Sequence, residues 1–245
     1  MAGVTVRQKI WARLPEVAVP DSRFHHDFAE VIPDFVGSAD ATDRAFDIPA
    51  VRNTRFAFAT PDNSLVELRR RFIASGVPLV VSSFRIRRGF FIIEPGSVPA
   101  GHELYAAWLD GLEHFGKPIT LTELARRGRF DLLATGASAV SIEGVRFGKG
   151  HDFFDIEWAL FTTIGIVDDR TPIVAIVHDR QVVDTRLFPS PADILIDAVV
   201  TPTRTIAVTR TSARPRDLRW DELDPSQIDA MPPLAELRRL QGLAA

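Results

Sequence analysis

The stretch Asp131-Leu132-Leu133-Ala134-Thr135-Gly136 decides the fold class. A run this short, apolar and closed by small residues reads as a strand buried on both faces. Ala139–Ile142 reads as another strand, and Phe153–Ile164 as a helix. Ile173–Val177 and Leu195–Thr201 are again short, apolar and rich in β-branched residues, and Thr205–Thr209 pairs beside them. Non-alternating strands separated by helices predict an α/β fold: a mostly parallel sheet with helices on both faces.

The pattern extends outward from there. Val6, Ile10 and Leu14 recur every four residues and predict a first helix over Val4–Leu14. Prolines at 15, 20, 33, 49 and 61 predict that residues 15–61 form an ordered loop region with little regular structure. Asp62-Asn63-Ser64 looks like a helix start, and that helix ends at Ser75-Gly76. Leu79–Val81 and Phe90–Ile93 read as strands, joined by the basic stretch Arg85-Ile86-Arg87-Arg88. Helices over Gly101–Phe115 and Leu121–Arg127 follow. Near the end, Asp224-Pro225 is a cap followed by a first-turn proline, and a last helix covers Leu234–Leu240. No repeat, low-complexity tract or linker is visible, so residues 1–245 read as one domain.

Composition closes several function classes. Apolar residues make up 46% and charged residues 25%, which is globular rather than disordered. The net charge of −3 disfavours a polybasic nucleic-acid surface. The absence of cysteine excludes disulfides, thiolate zinc sites and a cysteine nucleophile. The first residues lack an apolar core of signal-peptide length, and no run of about 18 apolar residues occurs. The expectation is a soluble cytoplasmic protein without a membrane partner. Lys9, Lys117 and Lys149 are the only lysines, so arginine supplies 26 of the 29 basic residues. A lysine kept in so arginine-rich a chain marks a place for a compact ammonium.

One segment carries the chemistry: Gly144-Val145-Arg146-Phe147-Gly148-Lys149-Gly150-His151-Asp152-Phe153-Phe154-Asp155. Glycines flank a lysine between a strand and a helix. Glycine lets the backbone approach a ligand, and a helix N-terminus presents free N–H groups and a partial positive charge. Arg146, Lys149 and His151 add cations, so the arrangement suits phosphate. Its spacing is neither a Walker A loop nor a dinucleotide fingerprint. A glycine-rich turn with a solvated lysine is the plainer alternative. The following helix is apolar nearly all round and therefore mostly buried. Its acids Asp152, Asp155 and Glu157 crowd the first turns, where they suit the helix dipole; Asp155 also sits where it would help hold a divalent cation against phosphates. Asp193 and Asp197 stand at the entrance to the Leu195–Thr201 strand, either as caps or as part of a metal or ribose site. His178-Asp179 ends the preceding strand at the edge where α/β ligands bind, although a histidine there is more often structural. Lys9 and Arg13 share one helix face, solvated or pointing at one polyanion. The clusters Arg85–Arg88 and Arg69–Arg71 read as solvated faces, or as anchors for a polyglutamate tail.

Together these pieces resemble the 5-formyltetrahydrofolate cyclo-ligase family, also called methenyltetrahydrofolate synthetase, and within it a divergent cyclo-ligase-like branch. The family's basic pair on the N-terminal helix is matched by Lys9 and Arg13. Its R-L-G-x-G-x-G-Y-Y-D loop is matched by Arg146 to Asp155, and its D-x-x-x-D element by Asp193 to Asp197. Its acid before the second helix falls on Asp62. The resemblance implies a fold akin to the sugar-phosphate isomerase and CoA-transferase-like group, with ATP, Mg²⁺ and a reduced folate as ligands. The implied reaction phosphorylates the formyl oxygen of 5-formyltetrahydrofolate. N10 then attacks the activated carbon, and phosphate leaves to give 5,10-methenyltetrahydrofolate.

By the same resemblance Lys9, Arg13, Arg146, Gly148, Lys149, Gly150, His151 and Asp152 would hold ATP, and Asp155 and Asp193 the metal. Asp62 and Phe154 would face the substrate, with Lys149 and Phe154 at the chemistry. This chain departs from the pattern: Phe153 and Phe154 replace the loop tyrosines, Asp152 replaces the third glycine, Ile156 follows the aspartate, and Ser141 replaces an acid. Three readings follow: a cyclo-ligase, a related enzyme activating another carbonyl substrate, or a non-catalytic folate- or nucleotide-binding protein.

Overall fold

The computed structural model describes residues 2–150, 153–183, 185–216 and 218–242. Helix α1 (Ala2–Trp11) and a turn beyond it lay Ile10 and Leu14 against Phe28, Ala139 and Val183. β1 (Ala18–Val19) pairs antiparallel with β2 (Asp34–Phe35). α2 (Ser38–Asp47) follows a left-handed Gly37, and α3 (Pro49–Arg52) takes Pro49 in its first turn. The first half continues through β3 (Ala57–Ala59), α4 (Val66–Ala74), β4 (Leu79–Ser82), β5 (Phe90–Ile93), α5 (Glu103–Ala107), α6 (Leu109–Phe115), β6 (Lys117–Ile119) and α7 (Leu121–Arg127). The second half holds β7 (Leu132–Thr135), β8 (Ala139–Ser141), β9 (Arg146–Phe147), α8 (Phe153–Thr163), β10 (Ile173–Ile176), β11 (Val182–Val183), β12 (Ala198–Val200) and β13 (Thr205–Ala207). α9 (Pro225–Ala230) and α10 (Pro232–Leu240) complete it.

The main sheet has eight strands in the order β13-β12-β10-β7-β3-β4-β5-β6. The middle five, β12 to β4, run parallel; β13 pairs antiparallel with β12 at one edge, and at the other β5 pairs antiparallel with β4 and β6 antiparallel with β5. A second small sheet, β11-β8-β9, lies apart from it. Alternate strand residues enter two cores. Phe58, Val80, Leu133, Ala175 and Val199 meet α7, α8 and α10, while Ala57, Leu79, Leu132, Val174 and Ala198 meet α2, α4, α5 and α6. Helices therefore cover both faces of a mostly parallel sheet, as the sequence predicts.

The differences from expectation have local causes. Residues 15–61 hold two helices and β3, a strand at the centre of the sheet. The prolines there bracket elements rather than exclude them. Gly101–Phe115 is two helices, because Trp108 is extended at ψ 153. A Cβ on Gly111 would lie 1.8 Å from the Tyr105 carbonyl oxygen, so only glycine allows this close turn. The helix expected from Asp62 begins as a single 3₁₀ turn, Asn63–Leu65. The strand expected over Leu195–Thr201 pairs only over Ala198–Val200, which leaves Asp193 in a loop.

Candidate functional site

The parallel strands end together at one edge, and loops from two of them and from β9 build a cleft. β3 supplies Thr60, Pro61 and Asp62; β4 supplies Ser82, Ser83 and the turn Phe84-Arg85-Ile86. Arg146, Gly148 and Lys149 close it from the loop before α8, and Phe153, Phe154 and Glu157 come from α8 itself. Gly136, just past β7, packs behind Asp62: a Cβ on it would meet Ser64 Oγ at 2.7 Å and Asp62 Cβ at 3.0 Å.

Asp62 is held from several sides. Its Oδ2 accepts from the Thr60 hydroxyl at 2.5 Å and the Gly136 amide at 3.0 Å. The fully buried Arg69 of α4 donates to the carbonyls of Thr60 and Asp62, each at 2.8 Å, and to Ala107. Burial pulls the Arg69 guanidinium down to about 10, against the nearby charges of Asp62 and Asp34. Arg69 is thus a loop anchor, not part of a solvated basic face. Asn63 donates to Asp21 at 2.7 Å, tying the next residue to the 21–25 turn.

The turn after β4 is strained. Arg85 and Ile86 both have positive φ, 55° and 57°, a rare state for a β-branched residue. Ser83 Oγ holds the turn by donating to Gly89 O and accepting from Arg88 N. Arg85 pairs with Glu30 across the cleft mouth. Strain of this kind persists where surrounding structure fixes it, and it clusters at ligand sites.

Lys149 lies across the same mouth. Its ammonium donates to the Glu30 carbonyl at 2.9 Å and sits over the rings of Phe84 and Phe153, 5.4 Å and 5.9 Å from their centroids. Burial lowers its pKa; Asp62 and Glu30 oppose that, while Arg85 and Arg146 add to it. Arg146 donates to the Gly136 carbonyl at 2.9 Å and covers the Phe154 ring at 4.8 Å. Glu157 lies at the bottom, 1% exposed. Burial raises its carboxyl to about 8; Ser82 and Arg146 pull it down, and Asp62 and Asp155 push it further up.

The structure therefore gathers Asp62, Arg146, Gly148, Lys149 and Phe154 around one cleft. Gly150 flanks it at φ 106. Lys9 and Arg13 are exposed on α1 and just beyond it, and neither lines the cleft. The basic residue of α1 that reaches the loop is Arg7, whose guanidinium would lie 3.5 Å from a Cβ on Gly150. His151 and Asp152 lie outside the described residues. Asp155 is exposed on the first turn of α8. Asp193 spends one oxygen on the Ser190 amide at 2.6 Å, closing its own turn.

Other candidates have plain structural duties. Asp197 accepts from Ile173 N, Arg210 and Arg214. His178 Nδ1 accepts from the Arg180 amide, and Asp179 from Thr201 and Thr203. Ser141 caps the β8–β9 turn by accepting from Glu143 N and Val145 N. Among the described residues no cluster of three histidines or acids stands ready for a cation. Such a lining fits Mg²⁺ as an ion carried largely by substrate phosphates, with Asp155 on the first turn of α8 as the acid the loop leads into.

Sequence reasoning missed Glu157, Arg7, Thr60 and the turn at 84–86. A carboxyl inside an otherwise apolar helix was the available signal for Glu157.

The model of the 5-formyltetrahydrofolate cyclo-ligase family matches residues 4–202. The chain belongs to that family. Relatives of this family member include the methenyltetrahydrofolate synthase domain-containing proteins of Homo sapiens, 31% identical over 236 residues, and Mus musculus, 30% identical over 243. The matches cover 95% and 98% of this chain, and the chain spans only 60% and 64% of those proteins' own lengths. The solution structure of Aquifex aeolicus 5,10-methenyltetrahydrofolate synthetase superposes with a TM-score of 0.52 over 91% of this chain and all of that one. At 15% identity that likeness shows a shared cyclo-ligase fold.

Proposed function

We propose that residues 1–245 form one domain, an ATP- and Mg²⁺-dependent cyclo-ligase acting on 5-formyltetrahydrofolate or a close relative. One observation carries the reading: Gly148 and Lys149 of the loop, the aromatic walls and Asp62 share a single cleft at the carboxyl edge of the sheet. ATP with its metal, when bound, supplies the phosphoryl group that activates a formyl oxygen. Phosphoryl transfer needs mainly positioning and charge neutralisation. Lys149, Arg146, Arg7 and the loop amides would hold phosphates, with Asp155 facing their metal. Lys149 then trades the Glu30 carbonyl for a phosphate oxygen. Asp62, fixed by Thr60, Gly136 and Arg69, would orient the folate ring against Phe84 and Phe154.

The same reading puts the protein in the cytoplasm without a nucleic-acid partner. Arg70, Arg71, Arg85 and Arg88 are paired with acids rather than presented to a polyanion, and among the described residues no helix is long and apolar enough to cross a membrane. A second reading, a cyclo-ligase relative activating another carbonyl, draws on Phe154. Its ring is buried beneath Arg146 and carries no hydroxyl where the family pattern has tyrosine.

The test is turnover of 5-formyltetrahydrofolate with ATP and Mg²⁺, followed by the absorbance of the methenyl product. Lys149→Ala should weaken nucleotide binding about tenfold to hundredfold, the loss of one charge-assisted contact. ATP consumption with another carbonyl substrate alone would favour the second reading. No ATP binding at all would overturn both.

A further inference from the structure

Glu157 is the group in the cleft that phosphate binding leaves unused. Its side chain is 1% exposed, yet it lines the cleft. Its Oε2 and the hydroxyl of Ser82 at the end of β4 are both buried without a well-formed hydrogen bond among the described residues, although they lie close enough for Ser82 to pull the Glu157 carboxyl down. Helix α8 is otherwise apolar on its buried side: Phe154, Ile156, Trp158, Leu160 and Phe161. A leucine at 157 would bury without penalty, whereas an unpaired carboxyl costs folding free energy. A polar atom kept buried, unsatisfied and facing a cleft is a contact awaiting its other half.

The surroundings narrow what that other half is. The walls above Glu157 are Phe84, Phe153, Phe154 and Ile32, which suit the faces of a flat ring. Asp62 lies close by, and the cations Arg85, Arg146 and Lys149 line the same cleft. The Asp62 carboxylate beside Glu157 repels an anion, so phosphate belongs with Arg146 and Lys149 and an N–H-bearing group with the floor. We propose that Glu157, with Ser82 beside it, hydrogen-bonds the N–H edge of a planar nitrogen heterocycle lodged between the phenylalanine walls, and so determines which ligand the cleft accepts. Two ligands of the proposed reaction carry such an edge, the pteridine of a folate and the adenine of ATP. The assignment to pteridine rests on the folate reading; the Glu157 contact does not. The cleft now encloses about 40 Å³, too little for a ring, so entry parts the Lys149–Glu30 contact.

Calorimetry with free pterin, 5-formyltetrahydrofolate and adenosine, on wild type, Glu157→Leu and Glu157→Gln, tests this. The leucine variant should melt about 2–4 °C higher, since an unsatisfied carboxyl is gone. It should bind pterin and 5-formyltetrahydrofolate about tenfold to hundredfold more weakly, with adenosine unchanged. Glu157→Gln keeps the shape and one acceptor, and should lose about twofold to tenfold. Loss confined to adenosine would keep the contact and reassign the ring. Unchanged affinity for all three probes, or no binding of any of them to wild type, would overturn the proposal. A lower melting temperature with binding intact would make Glu157 merely structural, and would also overturn it. Full turnover of 5-formyltetrahydrofolate by Glu157→Leu would sink this inference and leave the cyclo-ligase reading standing. Glu157-dependent pterin binding without turnover would do the reverse.

Discussion

Gly136 shows how tightly the cleft is built. A Cβ there would sit 2.7 Å from Ser64 Oγ, 2.9 Å from Ile32 Cγ2 and 3.0 Å from Asp62 Cβ. Its amide also donates to Asp62. Gly136→Ala must push the Asp62 loop away, and should cost about 1–3 kcal/mol in a urea unfolding experiment, as overpacking does. It should also weaken folate binding, because Asp62 moves with the loop. Stability within a few tenths of wild type would show that the loop yields freely. Some of this site is legible in the residues themselves. Glycines flanking a lysine before a helix single out Arg146, Gly148 and Lys149, and all three line the cleft. The depth of Glu157 is legible only faintly, from its place in an otherwise apolar helix, since an acid early in a helix also suits the dipole. Arg69 misleads for a similar reason. Sequence shows three adjacent arginines, and only packing shows that the first is fully buried while its neighbours pair with Glu67.

At the scale of elements, α4 fastens the loop after β3. Arg69 donates to the carbonyls of Thr60, Asp62 and Ala107, and so joins that loop to the end of α5. Removing it leaves three carbonyls short of a donor and Asp62 without a buried cation close by. Arg69→Met, similar in length and apolar, should therefore cost about 3 kcal/mol or more. Amide exchange at 60–65 should quicken beyond what global destabilisation explains. A uniform change in exchange would contradict the anchoring role. The elements most legible beforehand are those with unbroken apolar runs, β4, β5, β7, β10 and α8. β3 escapes notice because it is three residues long, buried on both faces and set among prolines. The break at Trp108 escapes because helical periodicity continues across it; the sharp turn is enforced by the Gly111 backbone approach, a contact in space.

For the whole molecule, the strand order places β3, β4 and β7 side by side, so their carboxyl ends deliver residues 60–62 and 82–86 to the cleft and Gly136 to a place behind Asp62. The α8 loop arrives there because β8 and β9 form a separate small sheet that carries it across the edge. The fold class follows from the alternation of apolar runs and helices, but this convergence depends on strand order, which no local pattern encodes. The measurement that bears most directly on the function is a crystal structure with 5-formyltetrahydrofolate and a non-hydrolysable ATP analogue bound. The expected result is the folate ring between Phe84 and Phe154 over Asp62 and Glu157, with the triphosphate on Gly148–Gly150 and Lys149 released from Glu30. Both ligands bound elsewhere, with this cleft unchanged and Lys149 still on the Glu30 carbonyl, would contradict it.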